Sequence, residues 1–240
     1  MSYNTFLQRM HKTGSSLRDE RIQSAIDNIA YSFTDDPSYL DGVVFYWNEE
    51  PIHPRISESI NRETGTPRTT MMTQITEPFE MGDIFKFPDG TIWICTYQER
   101  RQTHFEGTLE FCNYLLNFAK DEDGTIITYP VVIQNSTQYN SGITYSDYVT
   151  YGSAQNVIYT VQDDYSLKID KDFRFLIDYN TINPTAYLVT QVDTTTYKKG
   201  GKGLVRYTVI EDELRSTDDI ENMIADNTKR PDMAGDEGWL

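Results

Sequence analysis

From residue 82 to residue 212 the sequence sets short alternating apolar runs between turn-forming residues, and this rhythm limits the fold more than any other feature. Gly82-Asp83 leads into IFKF, Pro88-Asp89-Gly90 turns into TIWICTY, and a polar stretch then leads to TLEFCNYLLNF. Asp123-Gly124 precedes TIITYPVVI, and after a polar, tyrosine-rich stretch from Gln134 to Ser153 come NVIYTV, DFRFLIDY, AYLVTQV and GLVRYTVI. Strand side chains alternate between two faces, and Asp-Gly between alternating runs is the strongest local hairpin signal. The chain is therefore expected to be mainly β, a barrel or sandwich of short antiparallel strands with long loops.

Ahead of these runs, Ser15-Ser16 precede LRDERIQSAIDNIAYSF, where Ile22, Ile26, Ile29 and Phe33 recur at helical spacing. Asp19, three residues after Ser16, completes a capping-box pattern, so an amphipathic helix is predicted over about 17–33. VVFYW, Val43 to Trp47, reads as a short strand. From Asn48 to Pro78 the chain is rich in threonine, proline and charge, and Pro51, Pro54 and Pro67 exclude a long helix. That stretch reads as an extended arm or long loop.

At the other end, STDDIENMIADN predicts a short C-terminal helix capped by Ser216 or Thr217, followed by an acidic tail. The expected organisation is thus a helical segment (1–35), a strand and extended arm (36–78), a first β unit (79–134), a second β unit (135–212), and a C-terminal helix with its tail (213–240). The order GDIFKF, TIWICTYQE, GTLEFCNY has a weak echo in DFRFLIDY, AYLVTQVDT, GLVRYTV. Each is strand, short turn, strand, long hairpin, strand.

Charge and motif content then narrow the chemistry. Thirty-seven acidic against 21 basic residues give a formal net charge of -16, which repels polyphosphate at long range and disfavours general nucleic-acid binding. Aromatic residues make up 13% of the chain, so this acidity belongs to a folded surface. No apolar run approaches the roughly 18 residues of a membrane helix, and no membrane association is expected. Three histidines, His11, His53 and His104, lack metal-ligand spacing, and Cys95 and Cys112 lack CxxC spacing. The cysteines read as ordinary buried thiols, which face each other if the segment between them is a hairpin centred near residue 103 or 104. Asp121, Glu122 and Asp123 read as a turn, since they do not have the spacing of a calcium loop. Nucleophile-elbow, P-loop and dinucleotide signatures are absent from the sequence. No catalytic residue, cofactor or metal site is assigned, and the chain is not expected to be an enzyme.

One run remains. Lys198-Lys199-Gly200-Gly201-Lys202-Gly203 carries the charge and glycines of a phosphate cradle. It lies between two strands, however, so no helix N-terminus comes after it to supply a dipole. It reads as a hairpin tip, either solvated or in contact with an acidic neighbouring surface.

The order of the pieces resembles the head-closure (head-completion, neck) proteins of tailed bacteriophages. It runs from the N-terminal helix and "TGTPRTTMMTQITEPFEMGDIFKF" through "TIWICTY" and "EGTLEFCNYLLNFAKDEDGTIITYPVVI" to "FRFLI", "YLVTQVDTTTYKKGGKGLVRYTV" and "DDIENMIAD". Its more specific parts are Gly82-Asp83, Cys112-Asn113 and Tyr187 to Tyr207. The resemblance implies a homo-oligomeric ring in the virion neck, assembled in the host cytoplasm. Such a ring closes the DNA-filled head and offers a platform to the tail, with a portal or adaptor protein on one side and a tail terminator or tail tube protein on the other. Packaged DNA would pass nearby without tight binding, as the acidic balance allows. On this reading Asn48 to Pro78 and Gln98 to Gly107 are docking excursions, and Arg62, Arg68 and the Lys198–Gly203 run are the candidate interaction residues. The alternative is a tail-associated carbohydrate-binding or recognition module that uses the tyrosines between Tyr139 and Tyr159.

Overall fold

The structure, a computed structural model, describes residues 16–60, 67–120, 125–135, 155–178 and 182–227. Within them the chain is mainly β, with one α-helix, and divides into two units, Met1–Glu110 and Phe111–Leu240. The strands expected to form a first β unit over 79–134 are shared between these two.

The helix α1 (Leu17–Phe33) forms as its sequence predicts. Ser16 is extended at the N-cap, and its Oγ accepts the backbone N–H of Asp19 at 3.2 Å. At the far end Phe33 is fully buried, edge-on to Tyr39 at 5.8 Å and beneath the Arg55 guanidinium at 5.0 Å. Burying one such ring contributes about 1.5–3 kcal/mol, and Ile22, Ile26 and Ile29 of the apolar stripe are half-buried.

The first unit has seven strands: β1 (Val44–Tyr46), β2 (Pro51–Ile52), β3 (Arg55–Ile60), β4 (Pro67–Gln74), β5 (Ile84–Lys86), β6 (Ile92–Arg100) and β7 (His104–Phe111). They make one antiparallel sheet in the order β2-β1-β5-β6-β7-β4-β3. The two edge strands, β2 and β3, are consecutive in the chain with only His53-Pro54 between them. A two-residue link reaches from one edge to the other only if the sheet curls upon itself, so the body is barrel-like. Inside it lie Val44, Ile52, Met71, Phe79, Phe85 and Leu109.

This corrects the reading of 48–78 as an extended arm. Pro51 and Pro67 each stand at the first residue of a strand, where a missing N–H costs no ladder bond, and Pro54 falls between strands. The prolines exclude a helix but allow a sheet. Met71 and Thr73 of β4 are fully buried, and β4 pairs along its length with β7. Gln98 to Gly107 is likewise no loop: apart from Arg101 to Thr103 it belongs to β6 and β7.

The second unit holds β8 (Tyr114–Lys120), β9 (Ile126–Asn135), β10 (Gln155–Val161), β11 (Arg174–Ile177), β12 (Thr185–Asp193), β13 (Lys198–Lys199) and β14 (Lys202–Asp212). The sheet order is β11-β12-β14-β10-β9-β8, with β13 paired to β14. The end strands β8 and β11 lie against each other, so this sheet also curls into a nearly closed body. A phenol bridges the seam: Tyr114 Oη donates to the Asp178 carbonyl at 3.1 Å and accepts the Asp178 N–H at 3.2 Å. Leu116, Phe118, Ile158, Phe175, Val189 and Tyr207 fill the interior. The sequence echo corresponds to a shared local topology, since β5-β6-β7 and β11-β12-β14 are both antiparallel three-stranded meanders.

The short C-terminal helix expected over 216–227 does not form. Those residues run through turns and an isolated bridge between Asp219 and Ile224, with Met223 at φ +53°. The reason lies in β11, where Arg174 is buried at 1% exposure. Its guanidinium donates to Asp212 (2.6 Å), Asp218 (2.7 Å) and the Glu213 carbonyl (2.6 Å). Asn227 accepts the Arg174 N–H at 2.7 Å, and Ala225 packs onto Leu176 and Ala186. A buried cation requires its partners, and supplying them pulls this segment flat against the sheet. The acidic tail from 228 onward lies outside the described residues.

Candidate functional site

The lysine-glycine run is a hairpin tip built on a braced base. β12 ends at Asp193, whose Oδ1 accepts the N–H groups of Thr195 and Thr196, each at 3.0 Å, and the Thr195 hydroxyl at 3.2 Å. Hydrogen bonds from the Thr196 side chain and backbone, then from Thr195, hold the Asp193 carboxyl down at about 2. Tyr197 comes next. Its carbonyl accepts the Leu204 N–H at 2.8 Å, and its ring stands edge-on to Tyr159 at 5.6 Å. Arg206, on β14, lies 5.9 Å from the Tyr159 ring centroid.

Beyond this base, Lys198 pairs with Gly203 and Lys199 with Lys202, leaving Gly200-Gly201 as a two-residue loop. Gly200 has φ +71°, the conformation that a glycine at the first central position of such a loop supplies without strain. Gly203 is required for another reason, because a Cβ there would stand 2.5 Å from the Tyr197 carbonyl oxygen. Gly201 has open space around it. The three lysines are exposed. The loop leads into β14 and not into a helix, so the site offers point charges on a stiff ribbon and lacks the aligned amides of a phosphate cradle.

The other expected interaction residues do not join this tip. Arg68 is placed on β4 opposite Ser59, in the first unit, and Arg62 lies outside the described residues. Most of the tyrosine-rich stretch, from residue 136 to residue 154, is also outside them, as are Asp121 to Asp123.

Several other titratable groups are tied into the fold. His53 Nδ1 meets Glu77 Oε1 at 2.7 Å, which ties the β2–β3 corner to the connection after β4. Tyr129 donates to Asp163, and Tyr207 donates to the Ser166 carbonyl at 2.6 Å. Burial first, and then the nearby Asp163 carboxylate, push both phenols well above their ordinary range and keep them protonated. Cys95 and Cys112 are buried and form no disulfide, and Cys112 lies past the end of β7. Among the described residues no group of three or more His, Cys, Asp or Glu is arranged to hold a metal ion, and no helix is long and apolar enough to cross a membrane.

Sequence reasoning missed the Arg174 cluster. Its signal was an arginine set among apolar residues in DFRFLI, where strand alternation puts it beside Leu176 on the face opposite Phe173 and Phe175, a face that the C-terminal segment covers. No family model, no curated protein and no solved structure matches this chain.

Proposed function

We infer that the chain is a structural component of a bacteriophage head-to-tail connector, a neck protein that works by docking onto neighbouring subunits. The single observation behind this is the tip: three exposed lysines on a braced two-stranded ribbon, on a chain of net charge -16. A surface ion pair is worth only about 0–1 kcal/mol, too little to hold a lone partner, but repetition around a ring multiplies it. Two curled sheets, each with its own core, suit a structural component, and the order of sequence elements resembles that of head-closure proteins. In this role the chain would join a homo-oligomeric ring between a portal or adaptor protein and a tail protein, with DNA passing without tight binding.

Co-expression with a phage portal protein from the same genome tests the reading. The wild-type chain should co-purify with the portal ring, and changing Lys198, Lys199 and Lys202 together to Ser should weaken that assembly without altering the circular dichroism spectrum. Unchanged particle yield would mean that the tip is only solvated, and normal assembly with impaired DNA retention would point to the channel. The carbohydrate-binding alternative draws on tyrosines that lie mostly outside the described residues, and no observed feature favours it.

A further inference from the structure

β14 is charge-polarised along its length. Its first residue, Lys202, belongs to the basic tip; its last residues, Glu211 and Asp212, run into Glu213. At about 3.3 Å per residue the two ends are roughly 30 Å apart, several times the screening length of about 8 Å at physiological salt. The tip and the acidic end therefore do not neutralise each other within one copy.

The acidic end is as well fixed as the tip. Asp212 is turned onto Arg174, and Arg174 Nη2 also holds the Glu213 carbonyl at 2.6 Å. Alternation puts Asp212 on the face that Arg174 occupies, opposite Val205, Tyr207 and Val209, and Glu211 and Glu213 on either side of it are exposed. Asp178, at the end of the neighbouring β11–β12 hairpin, adds a third carboxylate. Both Glu211 and Asp178 act on the Tyr187 phenol, which burial first and these charges next push above its ordinary value.

We propose that the second unit self-associates head to tail, with Lys198, Lys199 and Lys202 of one copy docking on the end formed by Glu211, Glu213 and Asp178 of the next. The occupant is a second copy of this chain because one strand carries both complementary charges, each on a backbone fixed before association. With the backbone preorganised, association has only the side chains left to order. Using different patches on the two partners makes the contact heterologous, and such contacts close into rings or continue as filaments according to the rotation between copies. The inference rests on the neck reading in treating the tip as a contact between copies, and it adds the surface that receives it.

A charge swap tests it. Sedimentation velocity at low salt should show reversible self-association of the wild type that weakens as salt rises. K198E/K199E/K202E and E211K/E213K should each bind themselves about tenfold or more weakly, a change of about 1.4 kcal/mol or more. An equimolar mixture of the two should recover wild-type association, since each reversed tip then meets a reversed end. The milder Lys→Gln and Glu→Gln variants should weaken association in the same direction, which covers any reversal that does not fold. A wild type that stays monomeric, reversals without effect, or a mixture no better than its components would each overturn the proposal. The neck reading fails separately: a wild type that associates with itself but ignores the portal ring defeats that reading and leaves the head-to-tail contact standing.

Discussion

Arg174 and Asp218 form an ion pair sealed from water, with Nη1 2.7 Å from Oδ1 and side-chain exposures of 1% and 0%. Asp218 also accepts the backbone N–H groups of Arg215 and Asp226, each at 2.7 Å. One carboxylate thus organises the segment that leads away from the sheet. Breaking a buried pair from one side typically costs about 3–5 kcal/mol, because the remaining charge is left uncompensated. Asp212 stays beside Arg174, so Asp218→Asn is expected at the lower end, about 3 kcal/mol, in chemical denaturation. A loss under about 1 kcal/mol, the size of an ordinary hydrogen bond, would show that the pair is dispensable. Burial alone would raise the Asp218 carboxyl, but hydrogen bonds from Arg174 and the two backbone donors outweigh it and lower it from its ordinary value of 3.8. A depressed carboxylate stabilises the fold above its unfolded value. Its contribution should be complete above about pH 4 and fade as pH falls through the lowered folded value, and this acid-dependent part should be missing in the variant.

Tyr114→Phe removes a side-chain bridge across the β8–β11 seam. Two hydrogen bonds go, and the Asp178 N–H and carbonyl lose this partner, so about 1–3 kcal/mol of stability should be lost. Amide exchange at Asp178 should quicken more than exchange along the central β14. Uniform exchange change across the unit would indicate that the seam is held by packing alone.

Met71 distinguishes a core from an arm. Met71→Ala should cost about 2–5 kcal/mol, as large-to-small changes in cores do. Removing residues 62–73 should unfold the first unit, since it takes away β4 from between β7 and β3. A folded, monomeric deletion variant would restore the extended-arm reading.

The tip's glycines should respond unequally to alanine. Gly201→Ala should be nearly neutral, having open space around it. Gly200→Ala should cost about 1–2 kcal/mol of local stability through its left-handed backbone. Gly203→Ala should distort the ribbon most, because the new Cβ meets backbone atoms of Tyr197 and Lys198 at 2.5 and 3.0 Å. Nuclear magnetic resonance shifts of the Lys198 and Lys199 amides would rank the three, and equal responses would contradict this geometry.

Asp193 sets the base of the same tip. Its carboxyl should titrate near 2 in the folded chain, so lowering the pH from about 4 toward 2 should loosen Thr195 and Thr196 before the strands themselves melt. Asp193→Ala should produce that loosening at neutral pH. An Asp193 titration at its ordinary value of 3.8 would mean that the turn does not form in solution.

Elements with local causes can be read straight from the residues. Ser16 and Asp19 fix the helix start through side-chain bonds three residues apart, Asp89-Gly90 sets the turn between β5 and β6, and Gly200-Gly201 sets the tip hairpin. Strand alternation made the β class and most of the strands legible, including those of both meanders. The tertiary structure alone decided matters that depend on partners far along the chain. The threonine- and proline-rich stretch before Pro78 becomes β3 and β4 because β7, about thirty residues or more along the chain, offers β4 a ladder to pair with; prolines report where helices cannot go and say nothing of distant neighbours. The segment after Asp212 has a local pattern fit for a helix, yet it lies flat because the buried charge of Arg174 needs Asp218, and that need exceeds the few tenths of a kcal/mol per residue by which helix propensity differs among ordinary residues. The opposed charges at the two ends of β14 were present in the sequence all along, but only the unbroken strand between them holds them too far apart to neutralise each other within one copy.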